Sequence, residues 1–529
     1  VEVDSDFESA VHKTYVWNGL FEPLNKRTKA AFESGRFDGL MVRKGKHEGR
    51  IVSYRSVYGP TFRHSGLTYA NTSRNLGLAA YRLFHDKVGG LLDLHVVQVR
   101  RLPILASQLT AFREDLERDL PFENPFELVE RASEQAHGKR RIRMEAHAEL
   151  KSHGVLFSEK HLFMFRDIQA KMKLEEWAKP GKYARIISDF GTPASLRAGW
   201  LIEAIKVGLA ERYMQFDHGW CKFVYSVNLP ELTKVFTEAT TQSCFHYHSD
   251  DSRATIICSD GTLYYDLDIS ACDSSQGPAV FQTLGNLVPD RYFADMNALL
   301  KQCQEPSKMG YGKTALRFKA VEGRYFEYSG TLLTTMLNNI ASLCVGAQLM
   351  SLSPTNCHDT DLKVREILET CGWKMDCVLH SRVEKMQFLK CSPVRCGGGY
   401  SAVMNLGVIM RCIGQKHGDL SGDKSTPLKE RAAIENGKLV AGFKHSGNTS
   451  LYQLYKRKFP LLGDAICVNA NRSFTVGGED VVMDESLCSR YDITLSQYYE
   501  MLSLLEHADF GDVIDCHASR AILKLDYGL

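Results

Sequence analysis

Proline and tryptophan are scarce in this chain, with 15 and 5 among 529 residues, and no stretch is built from only a few residue types. Disordered, collagen-like and low-complexity classes are therefore excluded. No repeat with a period of about 20–50 residues recurs, which removes solenoids and propellers. Charge of one sign is also lacking: 65 Lys and Arg stand against 63 Asp and Glu, a net of +2. Any binding of a polyanion must then depend on where the charges lie. No signal-peptide pattern opens the chain and its 15 cysteines are scattered, so free thiols in a reducing, intracellular setting are expected rather than a disulfide scaffold. The longest uncharged apolar stretch, Leu332 to Met350, contains Asn338, Asn339 and Gln348. It reads as a buried helix rather than a membrane span.

What remains is 44% hydrophobic and 24% charged, an ordinary globular composition with room for about two to four subdomains. Short strand patterns alternate with longer helical ones, which places the chain in the α+β class. Charge is uneven. Between His137 and Ile186 twelve Lys and Arg face six Asp and Glu, and acidic residues then gather in turns at Asp250-Asp251, Asp266 to Asp273 and Glu479-Asp480. A basic segment followed by carboxylates at strand ends is what metal-assisted phosphate chemistry requires. Many solvated surfaces share the pattern.

Three segments carry most of the chemistry. The first, Tyr264 to Asp273, is a β-prone run ending in carboxylates at D-x4-D spacing. A strand ending near Asp268 projects that carboxylate from its tip and leaves Asp273 in the following turn, so both can face one cleft. Oxygen ligands of this kind suit Mg²⁺, which keeps open positions for substrate phosphates. The second, Ser243 to Cys258, reads as strand, tight turn, strand with Asp250 and Asp251 at the tip. Their mutual repulsion is what a divalent cation offsets; a plain polar hairpin is the other reading. The third, Tyr328 to Asn339, fits S-G-x3-T-x3-N through Ser329, Gly330, Thr334 and Asn338. It is a flexible Ser-Gly loop running into a helix on which Thr334 and Asn338, four residues apart, share a face. Elsewhere, Cys391 with Cys396 and His246 with His248 find no second pair at zinc spacing, and Gly397 to Gly399 has no following Lys-Ser/Thr to make a phosphate loop.

Taken together, Asp268 with Asp273, the S-G-x3-T-x3-N segment and the Asp-Asp hairpin resemble motifs A, B and C of the viral RNA-dependent RNA polymerases. The resemblance implies a right-hand fold of fingers, palm and thumb, with an antiparallel palm sheet. It implies template-directed transfer of nucleotides from NTPs to an RNA 3′ hydroxyl, with Mg²⁺ as cofactor and Mn²⁺ as a substitute. Asp268, Asp250 and Asp251 would be the metal ligands. Asp273 and Asn338, assisted by Ser329, Gly330 and Thr334, would sense the ribose 2′-hydroxyl, which separates RNA from DNA synthesis. The order of motifs departs from the usual one, because the Asp250-Asp251 hairpin precedes Asp268. Such a C-A-B permutation is similar to that of permutotetravirus-like and birnavirus-like polymerases. The rival hairpin, Phe474 to Met483, would restore the usual order but places Glu479 before Asp480, where the family's first metal-binding Asp belongs.

Further segments resemble the remaining motifs. Leu362 to Asp376 is similar to motif D, with Lys374 as a proton donor to pyrophosphate, and Glu384 to Lys390 to motif E, with Phe388, Leu389 and Lys390 as the primer grip. Lys171 to Ile187 resembles motif F, in which Lys173, Lys182 and Arg185 would neutralise the triphosphate. The expected division is fingers over 1–240, palm over 241–395 and thumb over 396–529. Expected partners are template and product RNA, NTPs and other viral replication proteins, in the host cytoplasm, at replication membranes or in a virion, with no transmembrane segment in this chain. Two other readings stay open: a catalytically silent RNA-binding scaffold that keeps the palm, and another two-metal phosphoryl-transfer enzyme such as a nuclease.

Overall fold

The computed structural model describes residues 22–23, 41–47, 51–63, 79, 82, 91–120, 148, 167–173, 176, 184–189, 192–302, 308–311, 314–317, 327, 329–417, 420, 423, 425–444, 446–459 and 484–528. Its centre is a six-stranded sheet whose spatial order follows the chain: β1 (Tyr213–Phe216), β2 (Gly219–Phe223), β3 (Cys244–His248), β4 (Asp251–Ile257), β5 (Thr262–Ile269) and β6 (Met375–His380). All neighbours are antiparallel except β2 and β3. That parallel pair is joined through helix α1 (Leu229–Thr241), as a parallel connection requires a crossover. The α1 helix starts cleanly because the Asn228 side chain accepts from Glu231 N and Pro230 occupies its first turn.

Strand alternation divides the sheet into an apolar and a polar face. Phe245, Tyr247, Ala254, Ile256, Tyr265, Leu267 and Ile269 join one core cluster with the buried residues of helix α2 (Thr334–Met350). This is the segment in which a buried helix was expected. Gly346 lets α2 lie against the sheet: a Cβ there would stand 2.4 Å from the Phe245 ring. The opposite face carries His246, Arg253 and Thr255 beneath α1, where Thr255 Oγ1 donates to Ala239 O at 2.8 Å. Asp251 and Asp268 sit on that polar face, directly opposite each other in register. Helix α3 (Cys357–Glu369) follows α2 and leads into edge strand β6.

Other sheets frame this centre. A four-stranded sheet joins Asp167–Met172 and Ile186–Asp189 with Lys308–Tyr311 and Thr314–Arg317. A second core lies between 394 and 523, built largely from the helices Leu406–Cys412, Leu428–Lys444, Thr449–Lys458, Asp484–Tyr491, Leu495–His507 and His517–Tyr527. Residues 51–62 pair with it: Ile51–Val57 lies beside Gln415–His417, and Thr61–Phe62 beside Val513–Ile514. No helix among the described residues is long and apolar enough to cross a membrane. The thirteen described cysteines are free thiols.

Candidate active site

The site forms where β3, β4, β5 and β6 end together. The β3–β4 hairpin turns in two residues, Ser249 and Asp250. Ser249 adopts φ +57, a left-handed conformation that costs a non-glycine residue about 1–2 kcal/mol. Three side chains of α2 hold it there. Asn339 Oδ1 accepts from Ser249 N at 2.7 Å, Ser342 Oγ donates to Ser249 O at 2.5 Å, and Asn338 Nδ2 donates to Ser249 Oγ at 3.2 Å. Ile269 N also donates to Asp250 O at 3.2 Å, tying the hairpin tip to the end of β5. The sequence pattern reached Asn338. It passed over Asn339 and Ser342, although polar residues on so apolar a helix were a usable signal.

As a result Asp250, Asp251 and Asp268 offer carboxylate oxygens that all lie within 4.8 Å of one another. Burial raises the pKa of each. Asp268 is pushed up to about 8, by burial first and then by the charges of Asp251 and Asp250. Asp251 is pushed up to about 6 by burial and then Asp250. Asp250 rises through burial and then Asp273, against a lowering from the nearby Arg185 guanidinium. Three carboxylates gathered at the strand ends, which repel one another, form a set of hard oxygen donors that fits a hard divalent cation. Asp376 on β6, directly opposite Asp268 in register, adds a fourth acid and accepts from Ser270 Oγ at 2.6 Å.

Asp273 lies beyond β5, as its spacing implied. Ala271, at φ +49, turns the chain into the short helix Cys272–Ser275. There Asp273 Oδ1 accepts from Asn338 Nδ2 at 3.0 Å, so two residues 65 positions apart meet beside the metal-type cluster. Behind them is a residue with no sequence signal. Glu327 is fully buried, and among the described residues no N–H or hydroxyl reaches its oxygens. Burial, then the charges of Asp273 and Asp250, hold its pKa well above the usual carboxylate range. Glu327 is thus the more readily protonated carboxyl, enclosed next to Asp273 with its charge disfavoured by burial.

The Ser-Gly loop and the basic strand meet each other. Ser188 N donates to Ser329 O at 2.7 Å. Gly330 adopts φ +86, and a Cβ on it would lie 2.7 Å from Ile187 Cγ2, so this position needs glycine for both conformation and space. Thr334 closes the loop, its Oγ1 accepting from Thr331 N at 3.1 Å. Lys173 and Arg185 adjoin across the strand pair, with Lys173 N donating to Arg185 O at 2.9 Å. Arg185 is exposed and pairs with Glu176 at 3.1 Å. Lys182, Glu479 and Asp480 lie outside the described residues.

Lys374 is exposed at the start of β6, its carbonyl accepting from Ser270 N at 2.8 Å. Phe388 and Cys391 exchange backbone hydrogen bonds at 2.9 and 3.1 Å around Leu389 and Lys390. Both central residues have positive φ, +53 and +63, as a type I′ turn demands. The Lys390 ammonium lies close enough to Asp251 to favour its ionised form.

No family model matches the chain, and no curated protein does. Among solved structures, it is similar to the X-ray structure of the birnavirus VP1–VP3 complex, with 11% identity and a TM-score of 0.43 over 61% of this chain and 50% of that one. It is similar also to the RNA polymerase VP1 from infectious pancreatic necrosis virus, with 11% identity and a TM-score of 0.43 over 66% of this chain and 54% of that one. The chain spans about half the length of these solved structures.

Proposed function

We propose that this chain is an RNA-directed RNA polymerase with a right-hand fold and a palm permuted in the order C-A-B. The observation that carries the reading is the union, at one end of one sheet, of the Asp250, Asp251 and Asp268 oxygens with the hydrogen-bonded Asp273–Asn338 pair. The first set suits metal-assisted phosphoryl transfer. The second is what a polymerase needs to recognise a ribose, and neither a nuclease nor a silent scaffold has use for it.

In the reaction, the RNA 3′ hydroxyl gives its proton to water and its oxygen bonds to the α-phosphorus of an NTP while the bond from that phosphorus to the bridging oxygen breaks and pyrophosphate leaves. Mg²⁺, with Mn²⁺ as a substitute, would be held by Asp250, Asp251 and Asp268 and would supply charge neutralisation for the attacking and leaving oxygens. Asp273, oriented by Asn338, accepts a hydrogen bond from the ribose 2′-hydroxyl. Arg185 and Lys173 neutralise the triphosphate, with Lys182 as a further candidate; Lys374 gives a proton to pyrophosphate; and the Phe388-Leu389-Lys390 turn bears on the primer strand. Ser329, Gly330 and Thr334 shape the loop over the nucleotide. The proposed partners are template and product RNA together with other viral replication proteins, in the host cytoplasm, at replication membranes or in the virion. The boundary expected at 240 would cut the central sheet, whose first strands are Tyr213–Phe216 and Gly219–Phe223, so the division proposed is fingers before Tyr213, palm from Tyr213 to 395 and thumb 396–529.

The test is NTP incorporation on a primed RNA template with Mg²⁺, comparing wild type with Asp250→Ala and Asp480→Ala proteins shown to be folded. Loss with Asp250→Ala and survival with Asp480→Ala is expected. The reverse outcome would restore the usual motif order, and a wild type silent on every primed and unprimed template would favour the scaffold.

A further inference from the structure

We infer that Trp373 and Gln276 are positioning residues for ribose discrimination, forming a directional chain of hydrogen bonds that fixes which way the Asn338 amide faces Asp273. The inference rests on the polymerase reading of this site. Trp373 Nε1 donates to Gln276 Oε1 at 3.2 Å, Gln276 Nε2 donates to Asn338 Oδ1 at 3.0 Å, and Asn338 Nδ2 donates to Asp273 Oδ1 at 3.0 Å. All three side chains ahead of Asp273 are buried, at 1%, 1% and 2% exposure.

The direction of the chain follows from donor chemistry. An indole N–H can only donate, so Gln276 must turn its oxygen to Trp373 and its NH₂ to Asn338. Asn338 must then turn its oxygen to Gln276, where the Cys272 thiol also donates at 3.1 Å, and its NH₂ to Asp273. An inverted Asn338 would set its oxygen against the Asp273 carboxylate and bury a repulsion. It would also leave the Gln276 amide only the Cys272 sulfur, at 3.2 Å, as an acceptor.

A clamp from the first part of the chain keeps both ends in place. Gln98, fully buried on the helix Leu91–Arg101, donates to Ser275 O at 2.8 Å and to Gly372 O at 2.9 Å, and accepts from Gly277 N at 3.0 Å. These backbone groups flank Gln276 on both sides and directly precede Trp373. Gly372, at φ +105, allows the approach, since a Cβ there would stand 3.2 Å from Gln98 Cγ. The segment from Gly372 to Lys374 that leads into β6 is thereby tied to the residue that reads the sugar.

The experiment measures kcat/KM for an NTP and for the matching dNTP with wild type, Gln276→Leu and Trp373→Phe. The ratio of the two values is the readout, because a general loss of stability lowers both alike. Loss of one buried hydrogen bond should lower the ratio by about tenfold in each variant. In an Asn338→Ala background, Gln276→Leu should lower it no further. Trp373→Phe keeps the ring packing and deletes only the donor, so it decides the matter if Gln276→Leu fails to fold. A wild type that discriminates, with variants that discriminate equally or whose losses add to that of Asn338→Ala, overturns the inference and leaves the polymerase reading standing. A wild type that incorporates neither nucleotide overturns both.

Discussion

Replacing Asn339 by alanine should slow nucleotide incorporation although Asn339 touches no carboxylate of the metal-type cluster. Its Oδ1 accepts from Ser249 N at 2.7 Å, in a turn where Ser249 stands at φ +57 and Asp250 follows directly. The left-handed backbone costs about 1–2 kcal/mol, and leaving a buried N–H unmade costs about 1–3 kcal/mol. These magnitudes are comparable, so without the amide the turn gains by relaxing and carries Asp250 with it. A displacement of about 1 Å at a reacting centre lowers rates by roughly 10²-fold. Ser342→Ala removes the 2.5 Å bond to Ser249 O from the other side and should cost less, because an orphaned carbonyl is better tolerated than an orphaned N–H. The assay is single-turnover incorporation on primed RNA at saturating Mg²⁺, with circular dichroism to confirm folding. Asn339→Ala at the wild-type rate, or Ser342→Ala as the more damaging change, would refute the reasoning.

Two further outcomes are expected. Gly330→Ala places a methyl 2.7 Å from Ile187 Cγ2 at φ +86, so the loop should part from the basic strand and KM for NTP should rise; adding Ile187→Ala should recover only the steric share, and full recovery would show that the backbone conformation is unstrained. In the metal-free protein Asp251 titrates at about 6 and Asp268 at about 8, above the usual carboxylate value of about 4. The folded state therefore holds more protons than the unfolded state between about pH 4 and 8, and its stability falls as pH rises through that window. Divalent binding at pH 7 should then release protons and tighten as pH rises towards 8. Calorimetry in buffers of different ionisation enthalpy measures this, and a binding heat independent of buffer would contradict it.

The sequence by itself determined the local elements and the chemical types. Strand alternation and turn chemistry marked the Cys244–His248 and Asp251–Ile257 hairpin, and the D-x4-D spacing put Asp268 at a strand end and Asp273 in the next turn. The apolar run from Leu332 announced a buried helix. These features were legible because they rest on periods of two or 3.6 residues and on what individual side chains can donate or accept. Tertiary structure decided which of them meet. The Asp251–Asp268 register, the grip of Asn339 and Ser342 on Ser249, and the burial of Glu327 beside Asp273 each join residues from 17 to 93 positions apart or depend on enclosure. Gln98 reaches Gly372 across 274 residues from a region that carries no motif. Such contacts follow from the packing of α2 on the sheet and of the Leu91–Arg101 helix behind the site. No short-range pattern encodes them, because burial and hydrogen-bond complementarity are properties of surfaces brought together, not of neighbours along the chain.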